Sequence, residues 1–207
     1  MRAFFTLCLS LFFLGPAFSD MPAPREFELS DECFGGEIVS HPITIKGEGV
    51  AKVSANKECW DSNPDSANRH KEAPGGVDFL LCLPDLGVCQ EENDKHDVAY
   101  MTFLIPPDEF VTKLASLYEE KYFLVNSSGG VNLYTDSDKR REIYVSKAGS
   151  IFNVRCFKSE HGSCEMMGLA DGGIQYFLNF HYQEQNIDWR SLHKNIVGFI
   201  ENTARFE

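Results

Sequence analysis

From Ile174 to Tyr182 apolar residues fall on alternate positions, Ile174, Tyr176, Leu178, Phe180 and Tyr182, opposed mainly by Gln175, Asn179 and His181. That is the period of a half-buried strand. After Gln185 the period becomes helical: Trp189, Leu192, Ile196, Phe199 and Ile200 fall on one face, and Arg190, Lys194 and Glu201 occupy the others. Asp188 is placed to cap the helix start. Cys156 to Phe206 thus reads as a cysteine-tied hairpin, a long strand and a closing amphipathic helix.

Upstream, Ile38 to Ile45 and Val50 to Val53 are strand-like, punctuated by Gly35-Gly36, Gly47 and Gly49. Asp61 to Gly76 is polar and Pro/Gly-rich and predicts an exposed loop; Trp60 at its start covers a core edge or stands as an exposed binding aromatic. Val77 to Leu83 resumes as a strand. Val98 to Ile105, apolar on both faces, predicts a central strand, ended by Pro106-Pro107. Asp108 then starts a helix with the stripe Phe110, Val111, Leu114, Leu117 and Tyr118. A meander follows, with Tyr122 to Val125 and Val131 to Thr135 around a Gly-Gly turn, then Glu142 to Val145 and Ile151 to Phe157. The pattern predicts an α+β fold: an antiparallel sheet with two amphipathic helices packed on it, stapled by disulfides. Strand, cysteine loop, strand and helix recur over 77–121 and 151–206, so the fold could hold two similar ββα halves.

The start of the chain sets the compartment. Met1 to Ser19 combines one early cation, Arg2, an apolar run from Phe4 to Leu14 and a small-residue site before Asp20, the signature of a secretory signal peptide. Residues 20–207 are then expected to form a single exported domain, periplasmic or extracellular, with no membrane span. Behind Cys8 lie six cysteines, Cys33, Cys59, Cys82, Cys89, Cys156 and Cys164, which allow 15 pairings. Proximity suggests Cys33 with Cys59, Cys82 with Cys89, and Cys156 with Cys164. His161 lies between the last two, but the tight C-x-x-C spacing of a zinc site is missing. No metal site and no cofactor is expected.

Charge narrows the choice of partners. The chain has 19 basic and 31 acidic residues, a net of −12; losing residues 1–19 with Arg2 leaves 18 against 31, a net of −13. Such a chain is repelled by nucleic acid and anionic membranes and steered toward a basic partner. There is no G-x-S-x-G, H-E-x-x-H, Walker or G-x-G-x-x-G motif. His41, His70, His96, His161, His181 and His193 are scattered, so no catalytic residue is assigned. Of two acidic clusters, Glu91, Glu92, Asp94 and Asp97 offer enough oxygen ligands for calcium, and Asp136 with Asp138 begins like a calcium loop. Neither continues as one, since the glycine and terminal glutamate of an EF-hand loop are missing after Asp138; both read as solvated loops or, where they act, as surfaces for a basic protein. Asn126-Ser127-Ser128 matches a glycosylation acceptor, relevant only to a eukaryotic secretory pathway.

The ending Tyr176-Phe177-Leu178-Asn179-Phe180, Trp189-Arg190-Ser191-Leu192, Phe199-Ile200 and Phe206 resembles that of periplasmic immunity proteins which neutralise type VI secretion toxins. It is also similar to the PsbP/DcrB-like α+β pattern. The resemblance covers about a quarter of the chain, in core residues, and carries over no functional residue. It implies a non-enzymatic exported protein that binds a toxin or effector and occludes its active site. The alternatives are an exported hydrolase with a site assembled from distant residues, and an envelope accessory protein.

Overall fold

The computed structural model describes residues 28–45, 49–61, 76–89, 98–104, 110–146, 151–159, 162–170, 173–181 and 187–206. Residues 1–19, most of the Asp61 to Gly76 loop, and Glu91, Glu92, Asp94 and Asp97 lie outside this set.

Among the described residues, twelve strands form two antiparallel sheets. The small sheet joins β1 (Ile38–Ile45), β2 (Gly49–Asn56) and β12 (Ala204–Phe206), with β2 in the centre. The large sheet comprises β3 (Val77–Cys82), β4 (Gly87–Val88), β5 (Val98–Leu104), β6 (Phe123–Ser128), β7 (Val131–Thr135), β8 (Arg141–Ser146), β9 (Phe152–Phe157), β10 (Ser163–Leu169) and β11 (Gln175–His181). Its order is β4-β3-β5-β11-β10-β9-β8-β7-β6. From β6 to β11 the strands follow one another as a meander; β11 then pairs with β5.

The expected α+β arrangement of two helices packed on one sheet is therefore corrected to a mostly-β fold. Two physical reasons explain the difference. First, Ile38–Ile45 and Gly49–Asn56 build a separate sheet, completed by a C-terminal strand whose three residues are too few to carry a period. Second, the helices are unequal. Helix α1 (Phe110–Lys121) packs near β9 and β10, yet of its described side chains only Tyr118 is buried, and Leu117 of the expected stripe is 57% exposed. Among the described residues, it is helix α2 (Trp189–Thr203) that presents a full buried stripe.

Helix α2 begins where the Asp188 carboxylate accepts the N–H groups of Arg190 and Ser191, at 3.0 and 3.2 Å. Its stripe then crosses one face of the large sheet: Trp189 meets Tyr144 of β8, His193 meets Phe152 of β9, and Phe199 meets Phe79 of β3 and Phe103 of β5. Alternation puts Phe79, Met101, Leu178, Met166 and Val154 on that same face, in register. At the helix end Thr203 Oγ1 donates to the Phe199 carbonyl and Asn202 Nδ2 to that of Gly198. Ala204 then turns extended and β12 joins β2, so the same segment fills the core and ties the two sheets together.

The disulfides are Cys33–Cys59, Cys82–Cys89 and Cys156–Cys164. Cys156 and Cys164 are direct cross-strand partners on β9 and β10, while Cys33–Cys59 joins short 3-10 turns that flank the small sheet. Three disulfides fit an oxidising, exported setting. Among the described residues no helix is long and apolar enough to cross a membrane.

Candidate interaction surface

The most strongly perturbed titratable groups sit in the core. Tyr176, fully buried on β11, places its Oη 2.7 Å from His193 Nδ1 on helix α2. Burial raises the Tyr176 hydroxyl well above its ordinary value and lowers His193 to about 4, so both groups are neutral at neutral pH. This pair bridges helix and sheet out of solvent reach; it is packing chemistry. Gly168, the cross-strand neighbour of Tyr176, makes room for it, since a Cβ there would lie within 3.0 Å of Tyr176 Oη. His41 is exposed and sits edge-on to Trp60 at 4.5 Å, and His181 is exposed on β11. His70, His96 and His161 lie outside the described residues, among which no group of three His, Cys, Asp or Glu side chains could hold a metal.

The acidic candidates divide. Glu91, Glu92, Asp94 and Asp97 lie outside the described residues. Asp136 and Asp138 sit in the β7–β8 turn. Asp136 Oδ1 accepts the N–H groups of Arg140 and Arg141 at 2.8 and 3.3 Å, which closes the turn and commits that carboxylate locally. Asp138 is exposed, with the Ser137 hydroxyl 3.3 Å away. Trp60 covers a core edge: its ring stacks on Phe79 at 4.5 Å and its Nε1 donates to the Ala55 carbonyl at 3.3 Å.

A surface that the sequence did not single out lies where the large sheet ends among the described residues. Strand β6 is that edge, and all six of its residues are exposed. Phe123, Leu124 and Val125 remain 65%, 58% and 59% exposed, and Leu117 of helix α1 brings the number of exposed large apolar side chains between 117 and 125 to four. The turn to β7 is tight because Gly129 and Gly130 both adopt positive φ, 56° and 76°, as a type I′ hairpin requires. The β6–β7 register shifts between Leu124 and Asn126, placing a bulge at Val125. A bulge blunts an edge; three consecutive exposed apolar residues do the reverse. The opposite edge, β4, is only two residues long. On β6, therefore, backbone donors and acceptors that no other described strand pairs coincide with apolar side chains, the combination that accepts an added strand. A run of three apolar residues in the sequence was the available signal, but such a run fits a doubly buried strand equally well.

No protein-family model matches the chain, and no curated protein matches it in sequence. Among solved structures, the iron-regulated outer membrane lipoprotein of Neisseria meningitidis aligns with a TM-score of 0.49 and 9% identity, over 87% of this chain and 96% of that one. An immunity protein of the Stenotrophomonas maltophilia type IV secretion system aligns with a TM-score of 0.58, over 81% of this chain and 94% of that one. At 13% identity this second likeness is one of fold alone; that neighbour belongs to a type IV system, whereas the resemblance read from the sequence was to immunity proteins of type VI systems.

Proposed function

We propose that this chain is an exported, non-enzymatic binding protein of the immunity type, which neutralises a secreted antibacterial toxin by occluding its active site. The observation that carries this reading is the bare apolar edge strand β6 with Leu117 beside it in sequence. Isolated exposed apolar residues are ordinary, but three consecutive ones on a sheet edge, with a fourth on the helix that precedes it, mark a contact surface. The fold likeness to a secretion-system immunity protein supports the same reading.

In the proposed complex an extended segment of the toxin pairs with β6. Backbone hydrogen bonds supply register, and burying Phe123, Leu124 and Val125 contributes about 1–2 kcal/mol each. The net charge of −12 accelerates encounter with a basic toxin; the exposed Asp138 contributes to that steering, and Glu91, Glu92, Asp94 and Asp97 add to the acidic balance.

The test is to titrate the purified protein, residues 20–207, against the product of a neighbouring toxin gene and to follow both binding and toxin activity. The expected result is a tight complex, inhibition of the toxin, and an association rate that falls as salt rises. Phe123→Asp with Leu124→Asp, on a surface already exposed, is expected to keep the fold and weaken binding at least about a hundredfold. A well-folded protein that neither binds nor inhibits overturns the proposal.

A further inference from the structure

We infer that the outer face of the small sheet carries an anion site built from Lys52 and Arg205, which takes a carboxylate borne on an apolar body. Lys52 on β2 lies directly opposite Arg205 on β12, and both are exposed. Like charges facing each other across a strand pair destabilise it. In a chain with 31 acidic residues, a carboxylate beside them would be the ordinary remedy, yet neither cation has an ion-pair partner among the described residues. Asn202 donates to the Gly198 carbonyl, Thr203 to that of Phe199, and the Ala204 N–H to that of Ile200.

The two cations line a groove of about 540 Å³ whose other walls include Phe34, Ile38, Ser54 and Asn202. Ile38 is 47% exposed, an apolar surface beside the charges. Ser54 Oγ is held by Ser40 Oγ at 2.9 Å, and Asn202 spends its amide N–H on the helix, which leaves its Oδ1 as an acceptor. A guanidinium forks a carboxylate, a nearby ammonium adds a point charge, and an acceptor suits an amide N–H one bond further along. The free carboxyl end of a peptide with an apolar last residue satisfies all of these at once: carboxylate to Arg205 and Lys52, amide N–H to Asn202, side chain against Ile38 and Phe34. This site is independent of strand β6 and of the toxin-binding reading.

The experiment titrates the isotopically labelled protein, residues 20–207, at low salt with N-acetyl-phenylalanine, with its neutral amide, and with inorganic phosphate, following backbone amide shifts by NMR. The acid is expected to shift Ser54, Asn202 and Arg205 saturably, and the amide to bind at least about tenfold more weakly. Lys52→Gln and Arg205→Gln are each expected to weaken the acid about tenfold, and Ile38→Ser to weaken the acid but not phosphate. Without ligand, both charge-removing variants are expected to melt at or slightly above the parent temperature, because a repulsion has been removed. That readout separates a lost site from a lost fold. The inference is overturned if no shift saturates, if acid and amide bind alike, if phosphate binds as well as the acid, or if neither charge variant changes affinity.

Discussion

At one end of the large sheet Phe199 of helix α2 meets Phe34, Phe79 and Phe103 with ring centroids 5.5, 5.1 and 6.1 Å away; at the other, Phe123 of β6 is 65% exposed. Both residues belong to apolar runs that composition cannot tell apart. What separates them is the order of strands: β3 and β5 lie beneath helix α2, whereas β6 has a neighbour on one side only among the described residues. Burial here follows from topology, and the apolar residues that topology leaves uncovered are the ones free to serve a partner.

The sharpest way to break this comparison is to make one change at both ends. Phe199→Ala is expected to cost about 3–5 kcal/mol, by lost transfer energy and the cavity left among the rings. Phe123→Ala is expected to stay within about 0.5 kcal/mol of the parent. Urea unfolding of the two variants reads the difference directly. Equal losses would mean that β6 is covered in solution, by a second copy or otherwise.

Acid tests the covered end alone. His193 titrates near 4 in the folded chain, against about 6.5 when unfolded, because burial disfavours its charged form. Between those values the unfolded chain binds a proton that the folded chain does not. The contribution is therefore fully present above pH 6.5, is lost as pH falls, and levels off near pH 4, a change of up to about 3 kcal/mol. His193→Gln is expected to remove this share of the pH dependence, measured as the difference between parent and variant unfolding curves across that window. An unchanged difference would place the imidazole in contact with water.

The sequence and the structure part company where local pattern stops deciding. Helix α2 was legible because its stripe and the Asp188 cap agree, and β11 because its alternation is unbroken. The hairpin around Gly129-Gly130 was legible from turn chemistry. Helix α1 was expected to pack with its full stripe, but spacing reports a face without saying what stands opposite it, and Leu117 is exposed. Val98 to Ile105 reads as a central strand, and β5 is interior in the sheet order, with Tyr100 on its second face 41% exposed. The two-sheet division was hidden because β12 is short and pairs with a strand some 150 residues earlier. The candidate edge was hidden for a related reason: exposure of Phe123-Leu124-Val125 is a property of the whole sheet order.

Gly168 tests how tightly the covered face is fitted. Its Cα faces Tyr176 on one neighbouring strand and Phe152 on the other, and an added Cβ would drive the Tyr176 ring away from His193. Gly168→Ala is expected to cost about 1–3 kcal/mol through overpacking and the displaced hydrogen bond. Thermal unfolding measures the loss, and the acid sensitivity assigned to His193 should diminish with it as the imidazole gains water. Full stability in this variant would mean that the ring moves aside without cost.

The smallest expected effect has the opposite sign. Gln175 on β11 is fully buried, and neither its amide nitrogen nor its amide oxygen has a hydrogen-bond partner among the described residues. It stands in the alternation where Asn179 and His181, further along the same face, reach solvent, so the strand pattern alone would make it an exposed position. Desolvating an unpaired amide costs about 1–3 kcal/mol, and a methionine of similar shape carries no such penalty. Gln175→Met is therefore expected to raise stability by about 1 kcal/mol, seen as a higher urea midpoint with an unchanged slope. A loss of more than about 1 kcal/mol would instead mean that the amide is hydrogen-bonded in solution and holds this end of β11 in place.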